Sequence, residues 1–142
     1  MMKHTKTIFL ISKIREKANK FILADLAQHG ITKLAPLHGD ILACLYQRER
    51  VTMKEISDSI HRTKPTVTVL VNKLAELGLV KKFQAAEDSR VIYVELTEQG
   101  KALHKLFEKF SADLVQKFFQ NMEQEEMKKL EISLQKILDN LG

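Results

Sequence analysis

The chain has 142 residues, 44% of them hydrophobic and 29% charged, and a formal net charge of +5. That is the size of one ordinary domain, or of a small domain with an appendage, and its composition is that of a folded globular protein; the basic balance admits a nucleic acid or another acidic surface as partner. One cysteine, Cys44, excludes an internal disulfide framework, and no apolar run resembles a signal peptide or a membrane span, so a cytoplasmic location is expected.

Thr5 to Gln28 reads as a helix, because Ile8, Leu10, Ile11, Ile14, Ala18, Phe21, Ile22 and Leu26 recur mostly at helical spacing, and Gly30 ends it. Much of the basic excess of the chain lies in Lys3, Lys6, Lys13, Arg15, Lys17 and Lys20, against Glu16; a solvated helix face is the plainer reading and polyanion steering the sharper one. Pro36 suits the first turn of a second helix, with Leu37, Ile41, Cys44 and Leu45 on one face. Thr52 and Glu55 have the spacing of a capping box, which starts a short third helix with Ile56 and Ile60 turned inward. A break at His61-Arg62-Thr63 precedes a fourth helix opening at Lys64-Pro65-Thr66 and burying Val67, Leu70, Val71, Leu74 and Leu77. Gly78 stops that helix. Leu79–Phe83 and Val91–Leu96 then read as two short strands joined by a polar loop.

Thr97 is a natural N-cap for a fifth helix carrying Leu103, Leu106, Phe107, Phe110 and Leu114 and ending near Phe118-Phe119. A sixth opens after Met122 with a heptad-like seam of Met127, Leu130, Leu134, Ile137 and Leu141. The seam is too short for an autonomous coiled coil. Apolar faces at both ends of the chain are buried most simply in a homodimer, with Ile8, Ile11, Leu130, Leu134, Ile137 and Leu141 at the interface.

Helix, turn, helix, hairpin is the order of a winged helix-turn-helix. A helix entering the major groove must present short polar or apolar side chains near its N-terminus while its rear packs on the preceding helix. Lys64, Pro65, Thr66, Thr68, Val69, Asn72 and Lys73 meet that demand, and Arg62 precedes them. Asn72 could bond adenine edges, a Thr or Val methyl could meet a thymine methyl, and the lysines could reach guanine or phosphate. A merely amphipathic surface helix is the bland alternative, and the hairpin that follows weighs against it. At the hairpin tip Asp88 can aim Arg90. An exposed ion pair contributes only about 0–1 kcal/mol to stability, so an arginine pre-aimed at a narrow minor groove is the better reason for it. Lys81 and Lys82 could add phosphate contacts.

Asp88-Ser89-Arg90-Val91-Ile92-Tyr93-Val94-Glu95-Leu96-Thr97, followed by Gly100, resembles the wing signature of the MarR family of bacterial transcriptional regulators, an Asp-x-Arg followed by Leu-Thr. Lys64-Pro65-Thr66-Val67-Thr68, then Leu74 and Gly78-Leu79-Val80, is similar to that family's recognition helix and exit. The likeness in element order extends over essentially the whole chain. It implies a mainly α fold with a small β-hairpin wing and an intertwined homodimer. Residues 1-35 and 98-142 would supply the dimerisation helices and 36-97 the DNA-binding domain. It also implies a regulator, usually a repressor, bound to a pseudo-palindromic double-stranded operator and released by a small molecule, metal or oxidant. By the same resemblance an effector pocket would draw on Phe21, Leu37, His38 and Ile41. Two positions depart from the pattern: Val69 stands where many members carry arginine, and His61 occupies a turn position that is often glycine.

Two other readings of the same fold are a metal- or redox-responsive regulator and a protein-interaction module that does not touch DNA. Cys44, among apolar neighbours, reads as a buried, inert thiol, and the chain lacks the cysteine near the first helix of the redox-sensing relatives. His4, His29, His38, His61 and His104 show no metal-ligand spacing; His38, Asp40 and His104 would be the first trio to test. No cofactor is expected. No phosphate loop, nucleophile elbow or acid–base pair supports an enzyme.

Overall fold

The computed structural model describes residues 5–142; Lys3 and His4 of the sequence reading lie outside them. The described elements are α1 (Thr5–Gln28), α2 (Pro36–Gln47), β1 (Arg50–Thr52), α3 (Met53–Ile60), α4 (Lys64–Glu76), β2 (Val80–Gln84), β3 (Ile92–Leu96), α5 (Glu98–Phe118) and α6 (Gln124–Asn140). The fold is the mainly α, winged helix-turn-helix arrangement that the sequence suggested. No helix among the described residues is long and apolar enough to cross a membrane.

Local chemistry explains the boundaries. Thr52 accepts the Glu55 N–H at 3.0 Å, and the Glu55 carboxylate accepts the Thr52 N–H at 3.3 Å, so the capping box that starts α3 is formed. Pro36 and Pro65 sit in first turns, where a missing N–H costs nothing. His61 ends α3 in the left-handed region, at φ 55 and ψ 48, a conformation that disfavours most side chains. The turn there is closed by the Arg62 N–H on the Ser57 carbonyl at 3.2 Å and by the Ser57 hydroxyl donating to the Arg62 carbonyl.

The sheet corrects one expectation. It is not a hairpin alone but three antiparallel strands in the order β1-β3-β2, with Val51 opposite Val94 and Lys82 opposite Val94 from the other side. Three residues are too few to show alternation, and Thr52 reads first as a cap, so β1 becomes visible only through its pairing with β3. Both faces of β3 are at least partly covered. Val94 is fully buried, but Tyr93 and Glu95 on the opposite face are half-buried. There the Arg50 guanidinium lies 4.8 Å from the Phe83 ring centre and 5.2 Å from that of Tyr93. Arg50 and Lys81 also pair with the Glu95 carboxylate, at 3.7 and 3.1 Å.

One apolar core runs through the molecule. Ile41, Leu42 and Leu45 of α2, Ile56 of α3, Val67, Val71 and Leu74 of α4 and Val94 of β3 pack with Leu26 of α1 and Leu103 and Phe110 of α5. Cys44 departs from its expected place in this core. It is half-buried at the edge of α2, its sulfur 3.1 Å from the Ser59 hydroxyl of α3. Tyr46 lies flat against His104 of α5, ring centres 4.0 Å apart, and its buried hydroxyl finds no hydrogen-bond partner among the described residues.

The exit from α4 is fixed tightly. Gly78 turns the chain at φ +78, and the Thr97 hydroxyl donates to the Gly78 carbonyl at 2.6 Å while accepting the Gly100 N–H at 3.1 Å. The Thr97 N–H bonds the Leu79 carbonyl at 3.0 Å. Gly100 packs so closely on this strand that an added Cβ would lie 2.2 Å from the Leu79 oxygen and 2.9 Å from Leu96 Cδ2. Because the nearer obstacle is backbone, Gly100→Ala is expected to lower stability by about 1–3 kcal/mol, the usual cost of overpacking. Urea unfolding of the two proteins measures it, and an unchanged midpoint would contradict the close approach.

Candidate nucleic-acid interface

α4 divides into two faces. Val67, Val71 and Leu74 are buried against the core; Pro65, Thr68, Val69 and Asn72 are exposed together on the opposite side. Val69 is 69% exposed, an apolar β-branched side chain that the core does not use. Thr66 and Lys73, expected on the same face, stand at its flank and are half-buried. The Thr66 hydroxyl accepts from that of Thr63 at 3.1 Å, and Lys73 lies 3.9 Å from Glu76. The Thr68 hydroxyl donates back to the Lys64 carbonyl at 2.9 Å, so it offers only its lone pairs outward. Arg62 is exposed in the turn before α4 and bonds the His61 carbonyl at 3.2 Å.

The wing tip has the arrangement inferred from its sequence. Arg90 Nε and Nη2 approach the two Asp88 carboxylate oxygens at 3.2 and 3.3 Å, and the Arg90 N–H also reaches Asp88 Oδ1 at 3.0 Å. The Arg90 side-chain and backbone donors hold the Asp88 carboxyl below its usual range, so it stays ionised and keeps the guanidinium aimed. The Arg90 side chain remains 89% exposed. Lys81, by contrast, is engaged by Glu95, so the structure gives it a partner within the wing.

A cleft of about 430 Å³ separates α4 from the wing, and Lys54, Lys64 and Arg90 line it together with Thr52 and Thr68. Lys54 was missed from the sequence. Its signal was electrostatic: a lysine in the first turn of α3 opposes the helix dipole, as Lys64 does at the start of α4. Neither placement favours the isolated fold. Both favour an anion in the cleft between them.

The remaining candidates separate. Phe21 lines a surface cleft between α1 and α5 with Lys17 and Lys117. A smaller cavity of about 260 Å³ lies between α1, α2 and α5, lined by residues including Asn19, Leu23, Gly39, Phe107 and Ser111. Phe21, Leu37, His38 and Ile41 do not share it: Ile41 is fully buried, and His38 turns back onto its own helix. Nor are His38, Asp40 and His104 gathered. Asp40 pairs with Arg15 at 3.6 Å and His104 with Glu108 at 3.0 Å, and no group of three or more such ligands forms among the described residues. The basic run of α1 is largely occupied in the same way, with Lys13 and Lys20 sharing Glu16 at 3.1 and 3.3 Å.

Known proteins share parts of this geometry. Residues 34–92, which hold α2 to the wing, match the model of the MarR family. The chain is 28% identical over 92 residues to the HTH-type transcriptional regulator YhjH of Bacillus subtilis, a match covering 64% of this chain and 53% of that protein. The chain thus spans about half the length of that curated relative. Its fold is similar to that of an E. coli MarR variant in complex with operator DNA, with a TM-score of 0.84, 20% identity and 96% of each chain covered. Streptococcus pneumoniae FabT in complex with DNA superposes with a TM-score of 0.83 at 22% identity, covering 99% of this chain and 100% of that one.

His38 carries a pH dependence. Burial lowers its pKa from the ordinary histidine value, and the nearby charge of Lys73 adds to this. The Ala35 N–H donates to Nδ1 at 2.8 Å, a bond that the neutral ring accepts. A histidine with a depressed folded-state pKa binds fewer protons folded than unfolded, so its contribution is present above about pH 6.5 and is lost as the pH falls below it. Stability is expected to decline in that acidic window, and His38→Gln, which keeps an acceptor near Ala35, should remove part of the decline. Thermal unfolding across pH 5–7.5 checks this; identical pH profiles would refute it.

Proposed function

We propose that the chain is a transcription regulator that reads double-stranded DNA with α4 and its wing, and that it does so as a homodimer. The cationic cleft carries this reading. Lys54, Lys64 and Arg90 line a single slot beside the exposed face of α4, a suitable seat for a phosphate backbone with the helix in the major groove and the wing arginine in the adjacent minor groove. Arg90, held by Asp88 and otherwise free, has no role in the core. That MarR and FabT were crystallised with DNA in the same fold supports the same use here.

The apolar ends of the chain support the dimer. Ile8, Phe9, Leu10 and Ile11 of α1, Leu134, Ile137 and Leu138 of α6 and Leu141 just after it are all exposed, and no residue of α6 is buried. An apolar area of that kind on a chain of this size calls for a partner. A second copy, paired about a two-fold axis, covers both helices at once and sets two α4 helices toward successive major grooves of a pseudo-palindrome. The cavity between α1, α2 and α5 is the place for a small-molecule effector, since it touches both the dimerisation helices and the helix behind the reading pair. Occupancy there would release the DNA and relieve repression.

Arg90→Ala is expected to weaken operator binding by roughly tenfold to a hundredfold, about 1–3 kcal/mol for one groove contact, without altering thermal stability. A gel-shift titration measures it, and an unchanged affinity would remove the wing from the mechanism. Leu134→Glu puts a charge into the proposed dimer seam and should yield monomers with little affinity for DNA. Sedimentation and titration together check that outcome; a DNA-competent monomer would overturn the dimer.

A further inference from the structure

The pleat of the wing sorts its two adjacent lysines. Lys81 stands opposite Glu95 and bonds it on the outer face of the sheet, whereas Lys82 stands opposite the fully buried Val94, on the face turned toward α4. From there the Lys82 ammonium donates to the side-chain amide of Asn72, on the exposed face of the reading helix. An ammonium has donors and no lone pair, so the amide atom that it meets must be the oxygen. The Asn72 amide is therefore oriented by the wing.

We propose that Lys82 is the residue that sets the base preference of Asn72, a proposal that rests on the DNA-reading function above. A free asparagine amide is complementary to adenine, accepting from N6 and donating to N7. Lys82 bonds one lone pair of that oxygen and turns it toward the wing, so Asn72 presents its NH2 group with two donors, and the matching edge is that of guanine, whose N7 and O6 both accept. The neighbouring Thr68 does not supply a competing donor, because its hydroxyl proton is committed to the Lys64 carbonyl. Lys82 is a positioning residue: it acts on the base through Asn72.

The test is selection from a randomised duplex pool with the wild-type protein, Asn72→Ala, Lys82→Met and Lys82→Arg, followed by titration of the selected sites at several salt concentrations. The wild type is expected to select guanine at a position whose preference disappears in Asn72→Ala. Lys82→Met should shift that position toward adenine by about tenfold, with the other positions unchanged, and Lys82→Arg, also a pure donor, should keep guanine. Adenine at the Asn72-dependent position in the wild type would overturn the proposal. So would a Lys82→Met protein that binds all sequences more weakly, with a flatter salt dependence and the same preference, because that is the behaviour of a phosphate contact. If the wild type selects a site with no Asn72-dependent position, this inference fails and the DNA-reading function stands. If it selects no sequence at all, both fail.

Discussion

The geometry of the whole molecule depends on one hydroxyl. Thr97 Oγ1 donates to the carbonyl at the end of the α4 turn and accepts the Gly100 N–H in the first turn of α5, while its own N–H is held by the first residue after that turn. Three elements, α4, β2 and α5, are fastened within a few residues, and the lack of a side chain at Gly100 lets them approach to contact distance. The angle between α4 and the long helix α5 is thus held at this joint. Any displacement of α5 must carry the exit of α4 and the base of the wing with it. An arrangement of rigid parts joined in this way transmits motion as whole bodies, which is how packed cores respond to strain.

Against that rigid background, several choices in the surface chemistry bring little to folding. First-turn lysines oppose the helix dipole, a β-branched valine faces solvent, and an arginine at the wing tip is paired with one exposed aspartate. An exposed pair of that sort contributes about 0–1 kcal/mol. Local rules that are broken together, on one surface and around one cleft, point to what the surface meets rather than to what the core needs.

Much of this was legible in the residues. Thr52 with Glu55, Pro65 in a first turn, Gly78 after the last buried leucine and Thr97 before α5 are local signals, and each acts over four residues or fewer. The helices they delimit have the expected bounds to within a residue or so. The Asp88–Arg90 pair was readable for the same reason. What could not be read was long-range. β1 exists because Val51 finds Val94, and Cys44 reaches the rim because α3 packs across it. The pocket candidates lie apart for this cause as well. Phe21, Leu37, His38 and Ile41 were grouped by likeness, but helix phase sends Ile41 into the core and Phe21 to a separate cleft. Lys82 reads in the sequence only as a phosphate contact, because its partner Asn72 lies ten residues away.

The stacking of Tyr46 on His104 has a practical side. The chain has no tryptophan and two tyrosines, so its near-ultraviolet signal arises mainly from Tyr46 and Tyr93. Tyr46 sits where α2 meets α5, and burial pushes its phenol well above the ordinary value. Tyr93 sits in the wing sheet under the Arg50 guanidinium. With either tyrosine replaced by phenylalanine, the light absorbed or emitted by the chain becomes a report from a single site of the molecule, and no attached dye is required.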